Sequence, residues 1–343
     1  MVALRIPGKG FSTYLAPIQI LSVSAVRAAL LGLAVGDALG VPVEFRPRAE
    51  RQRDPVRDMR GYGTHGQPPG TFSDDASLTF CLAETLAWPG GLSGPPDLAD
   101  FARRCINWLD NAYWTATGDT FDVGGATREA IGRLREGEVH PEQAGSRAET
   151  ANGNGALMRI LPLVFHDRWQ TETLDLPAAW DLTRAVAGVT HGHGRSTLGC
   201  FLYLLVARAL LAGQPPAAAY ATMREQAKQW LAGPTAPGVA IIEAGHYDAV
   251  LGGKLPTLTE RHIHSSGYVV HTLEAALWCL LRHQTYAATV LAAVNLGDDT
   301  DTTGAVAGGL AGLVYGEAAI PPEWLLALAR RADIEDLAGR LAG

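Results

Sequence analysis

The sequence predicts an all-α protein, a helix bundle whose functional residues lie in loops between helices. Apolar residues recur at spacings of three, four and seven, as in Leu198, Phe201, Leu202 and Leu205. This is the period of a helix with one buried face. Two-residue alternation and runs of β-branched residues are few. Alternating strand and helix units are also missing from the pattern, which argues against a doubly wound sheet.

Capping residues mark some of the predicted helices, and apolar periodicity alone marks the others. Ser73 or Asp74 is a good N-cap for the second helix, and residues 190–194 close one helix and open another. The polar segments 46–70 and 138–154 are long and weakly periodic, which is typical of functional loops. In chain order the predicted helices are 23–39, 76–88, 96–113, 123–136, 178–189, 196–212, 216–231, 238–249, 267–281, 286–295, 303–315 and 322–330.

The chain has 343 residues, enough for one large domain or two ordinary ones. No linker rich in Gly, Pro or Ser divides it, and internal repeats are not evident. We therefore expect one domain over residues 21–343, preceded by an N-terminal extension over residues 1–20. The composition is 47% hydrophobic and 18% charged, which indicates a globular chain rather than a disordered one.

Charge and composition argue against several classes of protein. The net charge is −7 and the arginine-rich segment 46–60 contains interleaved acids, so no nucleic-acid surface is expected. The run 198–213 contains Arg208 and is too short for a membrane span, and Arg27 interrupts a start that otherwise resembles a signal peptide. The four cysteines lie in apolar runs without a CxxC pair. Reduced, buried thiols and a cytoplasmic location are therefore expected.

Two acidic clusters stand at the starts of apolar runs, Ser73–Asp75 and Asp298–Thr302. One acid or hydroxyl often caps a helix, so either cluster alone is also compatible with an ordinary cap. Closely spaced acids repel each other unless a cation gathers them. Oxygen donors without nearby Cys or His suit Mg²⁺, Mn²⁺ or Ca²⁺ rather than zinc or copper. The clusters therefore point to a metal-dependent hydrolase.

The spacing within the second cluster limits its geometry. Asp299 and Asp301 would point about 200° apart on a regular helix, so they converge only if Asp299 precedes or opens the helix. Together with Asp74 and Asp75 they carry enough negative charge to balance two divalent cations. A pair of such cations can hold substrate oxygens and activate water.

Four further segments could carry function, and each has a structural alternative. Glu44 follows a helix and a turn, and it could be either a site residue or a surface acid. The glycine-rich loop Asn152–Gly155 precedes a predicted helix start, where backbone N–H groups could bind phosphate. His193 lies at a helix end, where histidine can act as a cap. Residues 61–66 match GxGxxG, but they follow no strand and open no helix, so we reject a dinucleotide site.

Taken together, these motifs resemble the ADP-ribosylglycohydrolase family over residues 25 to 316. The segment FDVG is similar to the motif typical of the dinitrogenase reductase-activating glycohydrolase branch. Each motif is weakly specific by itself, whereas the ordered combination is highly specific. The matching segments are GLAVGDALG at 32–40, GTFSDD at 70–75, FDVG at 121–124, NGNGALMR at 152–159, THGH at 190–193 and DTDT at 299–302.

The resemblance implies a single compact bundle of orthogonally packed helices with a binuclear Mg²⁺ or Mn²⁺ centre. Position by position, it implies the metal ligands Ser73, Asp74, Asp75, Asp299, Asp301 and Thr302. The implied substrate-binding residues are Asp122, Gly124, Asn152, Gly153, Asn154, Gly155 and His193. Glu44 corresponds to a mobile acid near one metal. In this chain Ser73 replaces the commoner Thr, and Asp298 replaces a frequent Gly, which adds an acid of unassigned role.

The resemblance further implies an enzyme that hydrolyses the N-glycosidic bond between ADP-ribose and protein arginine. The expected partner is an arginine-linked ADP-ribosylated protein, the product is ADP-ribose, and the expected state is a monomer. Water held by a metal or a carboxylate would attack, with Glu44 or Asp75 as the proton acceptor and Asp122 beside the leaving guanidinium. The alternatives are a hydrolase of O-linked ADP-ribose (serine, O-acetyl or nucleic-acid adducts), a two-metal phosphodiesterase and a catalytically idle ADP-ribose-binding protein.

Overall fold

A computed structural model describes residues 22–343, so the predicted extension over residues 1–20 lies outside the described part of the chain. Within the described residues all regular elements are helices, and β pairing is limited to two isolated bridges. The predicted all-α class is therefore confirmed. The α-helices are α1 (Val23–Gly40), α2 (Arg48–Arg53), α3 (Asp74–Leu86), α4 (Leu98–Asn111), α5 (Gly125–Glu136), α6 (Leu176–Ala187), α7 (Gly194–Leu211), α8 (Pro216–Leu231), α9 (Gly238–Glu243), α10 (Asp248–Leu251), α11 (Val269–Arg282), α12 (Tyr286–Val294), α13 (Thr300–Tyr315), α14 (Pro322–Ala327) and α15 (Arg331–Ala342).

Some predicted helix boundaries are wrong. The predicted helix 238–249 is divided into α9, a 3₁₀ turn (Ala244–Tyr247) and α10. Gly245 lies at this interruption, and glycine weakens a helix interior. The predicted helix 322–330 ends at Ala327, and the following helix α15 was not predicted. There Leu328 adopts an extended conformation, with a ψ of 123°, and Ala329 donates its N–H to the carbonyl of Gly70.

Helices α1 and α13 pack with their backbones in direct contact at the centre of the protein. A Cβ at Gly32 would lie 2.6 Å from the carbonyl oxygen of Gly308, and a Cβ at Gly36 would overlap with that of Gly304. Such an approach is possible only without side chains. Thr300 also donates its hydroxyl to the carbonyl of Gly40 at 2.8 Å. This packing brings the C-terminal half of α1 beside the acidic start of α13.

Two helices of the described chain, Val23–Val43 and Gly194–Leu211, are long and apolar enough to cross a membrane by length and composition. The run 198–213, predicted to be too short for a membrane span, lies largely within this second helix, which begins at Gly194 and has 18 residues. However, 94% and 83% of the respective apolar 18-residue windows are buried within the protein. Core helices of a globular bundle show the same combination of length and apolarity.

Candidate metal centre and active site

The two acidic clusters meet in the fold, together with an acid from α1. One carboxylate oxygen from each of Asp37, Asp75 and Asp301 lies within 4.8 Å of the others. The same is true of Glu44, Asp299 and Asp301. Asp301 belongs to both groups and therefore links them. The arrangement collects acids from three separate parts of the sequence at one place.

The start of α3 is fixed by Asp37, which sequence reasoning did not assign to the site. Asp37 is fully buried, and its two carboxylate oxygens accept N–H groups of Ser73 and Ala76, both at 2.9 Å. Ser73 occupies the N-cap position, and its hydroxyl donates to Asp75 Oδ2 at 3.0 Å. The available signal was a carboxylate inside an otherwise apolar helix, which is expensive to bury without a specific role.

The start of α13 confirms the predicted position of Asp299. This residue occupies the N-cap position and precedes the first helical residue, Thr300. Thr302 lies in the first turn and donates its hydroxyl to Asp75 Oδ2 at 3.3 Å. That hydrogen bond joins the two clusters directly.

Several carboxylate oxygens in this centre have no hydrogen-bond donor among the described residues. They are Asp75 Oδ1, Asp299 Oδ1 and Asp301 Oδ2, and all three atoms are buried. A buried acceptor without a partner costs about 1–3 kcal/mol, and more when it is charged. Divalent cations such as Mg²⁺ prefer oxygen ligands of this kind. The residues present therefore fit the cation that the resemblance implies.

The raised pKa values of the buried acids also indicate that this centre lacks positive charge. Burial, followed by the charges of Asp37 and Asp299, raises the pKa of Asp75 well above its usual value. Burial, followed by the charges of Glu44 and Asp75, does the same for Asp301. Asp74 is also buried and its pKa is raised, but it does not belong to the groups of converging oxygens. Without cations, this centre would retain protons in place of them.

Glu44 is buried rather than a surface acid, with only 3% of its surface exposed. It follows a 3₁₀ turn (Val41–Val43) at the end of α1. Burial, followed by the charges of Asp122 and Asp299, raises its pKa to about 10. Glu44 Oε2 forms a hydrogen bond with His65 Nε2. His65 was missed by sequence reasoning, although it lies in the GxGxxG-like segment that we set aside.

Asp122 reaches the same region from the loop before α5. One oxygen of Asp122 lies within 4.8 Å of ligand atoms of Glu44 and His65. Its backbone adopts a left-handed conformation, with a φ of 50°. Burial, followed by the charge of Asp299, raises its pKa to about 6. Gly124 occupies the N-cap position of α5 and is exposed.

The glycine-rich loop contacts the acidic centre through Asn154. The amide nitrogen of this side chain donates to Asp299 Oδ2 at 2.8 Å and to Thr272 Oγ1 at 2.9 Å. Asn152 lies nearby with its Oδ1 buried and without a donor among the described residues. The predicted helix start after this loop is wrong, because turns lead instead to a 3₁₀ turn at Leu161–Phe165.

Two glycines of this loop pack against a histidine of the THGH segment. Gly153 lies next to His191, and a Cβ at Gly155 would lie 2.7 Å from His191 Cε1. Burial lowers the pKa of His191 to about 3, so the ring is neutral. His193 caps α7 through Nδ1, and its Nε2 lies 3.3 Å from a Glu149 oxygen. Its polar contacts therefore lie outside the acidic centre.

The extra acid Asp298 has a conformational explanation. Its φ is 58° and its side chain is exposed. Its N–H and carbonyl both pair with the loop before α2, through Arg46 and Phe45. Aspartate tolerates a left-handed conformation better than most residues, which explains how it can replace a glycine there. Asp298 is thus absent from the groups of converging carboxylates within the described chain.

Comparisons with known proteins point to one family. A family model described as ADP-ribosylglycohydrolase matches residues 20–343. The ADP-ribosylarginine hydrolase Tri1 of Pseudomonas putida (strain GB-1) is 35% identical over 92% of this chain and 77% of its own length. The ADP-ribosyl-[dinitrogen reductase] glycohydrolase of Rhodospirillum rubrum is 33% identical over 90% of this chain and 91% of its own.

A solved structure, named as an ADP-ribosylglycohydrolase-related protein complex, has the same fold. Its TM-score is 0.73 at 33% sequence identity, and the match covers 93% of this chain and 97% of that one. The family model extends over all the described residues, and it includes every acid of the centre. This chain therefore belongs to the ADP-ribosylglycohydrolase family.

Proposed function

We propose that this protein hydrolyses the N-glycosidic bond between ADP-ribose and arginine side chains of modified proteins, in a metal-dependent reaction. The observation that carries the proposal is the set of buried carboxylate oxygens without hydrogen-bond donors on Asp75, Asp299 and Asp301. The names of two relatives at 35% and 32% identity, both ADP-ribosylarginine hydrolases, support the arginine linkage.

We further propose that the centre takes two Mg²⁺ or Mn²⁺ ions. Asp75, Asp299 and Asp301 would hold them, with Ser73, Asp74 and Thr302 beside them. When bound, these cations supply positive charge that holds substrate oxygens and lowers the pKa of water. The charge of the converging acids supports two cations rather than one.

Within this proposal Glu44 is a better proton acceptor than Asp75. Asp75 would itself hold a metal ion, and its Oδ2 also accepts hydroxyl groups from Ser73 and Thr302. Glu44 lies between the Asp299–Asp301 pair and the Asp122 side of the site. Positive charge develops at the anomeric carbon as the glycosidic bond breaks, and nearby carboxylates stabilise it. Asp122 would pair with the guanidinium and keep it protonated as it leaves.

The proposal is tested with protein substrates carrying ADP-ribose on arginine or on serine, each in Mg²⁺, Mn²⁺ or EDTA. We expect release of ADP-ribose from arginine only, and only with metal. Asp299→Asn should lower Mn²⁺ affinity and kcat/KM by at least about 100-fold, because metal sites are sensitive to their ligand set. Asp298→Asn is the matched control, since the side chain is exposed, and it should retain activity. Release from serine alone, or release in EDTA, would contradict the proposal.

We also propose a cytoplasmic monomer. Cys81, Cys105, Cys200 and Cys279 are all free and buried, which supports a reducing compartment. Light scattering of the purified protein measures the mass directly, and a dimeric mass would contradict the second half of this proposal.

A further inference from the structure

The segment 61–66, which matches GxGxxG but serves no nucleotide motif, lies against the Glu44 turn. We call it the Glu44 strap. Thr64 donates its N–H to the carbonyl of Pro42 at 3.0 Å, and its hydroxyl to the carbonyl of Glu44 at 2.7 Å. A Cβ at Gly63 would overlap with the Pro42 carbonyl, so glycine is required for this contact. The strap is thus fixed to the backbone at Pro42 and at Glu44 itself.

The next residue of the strap reaches the carboxylate itself. His65 Nε2 forms a hydrogen bond with Glu44 Oε2. Within residues 22–343, Glu44 Oε1 receives no side-chain hydrogen bond, so this oxygen stays available. His65 therefore holds one oxygen of Glu44 and leaves the other free.

The ring of His65 is held in place by two aromatic side chains. Its centroid lies 6.0 Å from that of Phe45 in an edge-to-face arrangement, and 5.1 Å from that of Phe121. Phe121 directly precedes Asp122, so the same contact links the strap to the loop that carries Asp122. Aromatic packing of this kind restricts the ring orientation.

Glu44 needs such a partner because neighbouring acids repel its carboxylate. Oxygens of Asp122, Asp299 and Asp301 each lie within 4.8 Å of an oxygen of Glu44. A flexible glutamate among like charges would rotate away unless a hydrogen bond retains it.

We propose that His65 is a positioning residue that holds the Glu44 carboxylate in its reactive orientation, and that residues 61–66 exist in this form to present it. The inference rests on the proposed function only in giving Glu44 a role in the reaction. His65 acts through Glu44 and needs no contact with substrate or metal. Its removal should therefore affect turnover, and should leave substrate binding and metal affinity unchanged.

The test is a double-mutant cycle on the full-length protein with Mn²⁺ and the arginine-linked substrate. His65→Ala should lower kcat by about 10- to 100-fold, as expected when a reacting group is misplaced by about 1 Å. KM and the Mn²⁺ dissociation constant should not change. On a Glu44→Gln background, His65→Ala should cause no further loss. Full kcat in His65→Ala, or an equal loss on both backgrounds, would overturn the proposal.

A conservative pair separates positioning from folding. His65→Gln can still place an amide nitrogen near Glu44, whereas His65→Asn is one carbon too short. We expect Gln to restore most of kcat and Asn to resemble Ala, at equal melting temperatures. Equal activity of the two variants would contradict the hydrogen-bond role. His140→Ala, at an exposed histidine elsewhere, controls for loss of a histidine.

Failure of the proposed function is distinguishable from failure of this inference. A wild-type protein that releases no ADP-ribose refutes the proposed function. The positioning role of His65 can then still be tested by structure determination. Crystal structures of the wild type and His65→Ala then decide. A Glu44 carboxylate displaced in the variant supports the positioning role, and an unmoved carboxylate overturns it.

Discussion

Asp37 contributes to the site from a position where its role is invisible in the local sequence. It belongs to α1, yet its two oxygens accept the N–H groups of Ser73, the N-cap residue of α3, and of Ala76 in the first turn of that helix. Capping residues normally come from the residue directly before the helix. Here Ser73 supplies the local cap and Asp37 supplies a second from across the fold. Asp37 thereby sets the position from which Asp75 projects.

Replacing Asp37 with asparagine should destabilise the protein and weaken metal binding together. Asparagine turns an NH₂ group towards one of the two backbone donors, leaving buried groups unpaired. We expect a loss of about 1–3 kcal/mol in the free energy of unfolding, measured with urea in EDTA. Mn²⁺ titration should show lower affinity, because Asp75 moves. Asp97→Asn, at the local cap of α4, should have little effect, since Asn and Asp cap equally well. Equal stability of both variants would contradict the role given to Asp37.

Among individual residues, the sequence predicted several of the acids that converge, but it did not predict Asp37 or how the backbone presents the acids. Acid clusters at helix starts are visible in the residue order, and Asp75, Asp299 and Asp301 do meet. The sequence marked Asp298 as an extra acid beside the site, because its charge is visible in the sequence. Its positive φ, which explains the residue, is not visible there. His65 was missed because its partner Glu44 is adjacent only after the loop between them folds back.

Helices α1 and α13 form the element pair on which the site depends. Glycines recur at every fourth residue along both facing surfaces, so the two backbones approach without side chains between them. A Cβ at Gly40 would overlap with backbone atoms of Asp301, so the contact continues to the edge of the acidic centre. The separation of these helices therefore sets the distance from Asp37 to Asp301. Helix packing and metal-site geometry are coupled in this fold.

Gly36→Ala should disrupt this coupling. The added methyl group would overlap with the carbonyl of Gly304, so the helices must separate, at a cost of at least about 2 kcal/mol. We expect a lower melting temperature and weaker Mn²⁺ binding. Gly132→Ala in α5 is the matched control, because nothing lies within 4 Å of the added Cβ. It should stabilise the protein by about 0.5–1 kcal/mol. A Gly36→Ala variant as stable as the control would show that the interface can expand freely.

The periodicity of apolar residues predicted that α1 and α13 are helices, but it could not predict that they touch. Both are apolar around most of their circumference, as helices at the centre of a large core are. Such helices give no directional signal about their neighbours. The glycine spacing carried that information, and it becomes interpretable only when both partners are known.

Within residues 22–343, the buried acids of the centre form an ion pair with only one basic side chain, that of His65 beside Glu44. Asp37, Glu44, Asp74, Asp75 and Asp301 are all buried, and the pKa of each is raised. As an ADP-ribosylglycohydrolase, the chain retains this costly centre in the middle of an apolar bundle. Burial of these acids lowers the free energy of unfolding of the metal-free protein, and a bound cation would raise it again.

The metal-free protein should therefore lose stability as pH rises from 6.5 to 8, and added metal should reverse the loss. Burial raises the pKa of Asp37 to about 7 and that of Glu44 to about 10. In this window the unfolded chain has released those protons and the folded chain retains some, so stability falls by about 1.4 kcal/mol per pH unit for each retained proton.

Cations bind the deprotonated carboxylates, so the stabilisation by Mg²⁺ or Mn²⁺ should grow with pH over the same range. Melting temperatures in EDTA and in saturating metal, recorded side by side, give this difference directly. Histidine and cysteine titrations affect the melting temperature equally in both conditions, so they cancel in the difference. Asp301→Asn should reduce the difference, because it removes an acid common to both groups of converging oxygens. A metal effect that stays constant or shrinks as pH rises would mean that protons and cations do not compete at this centre.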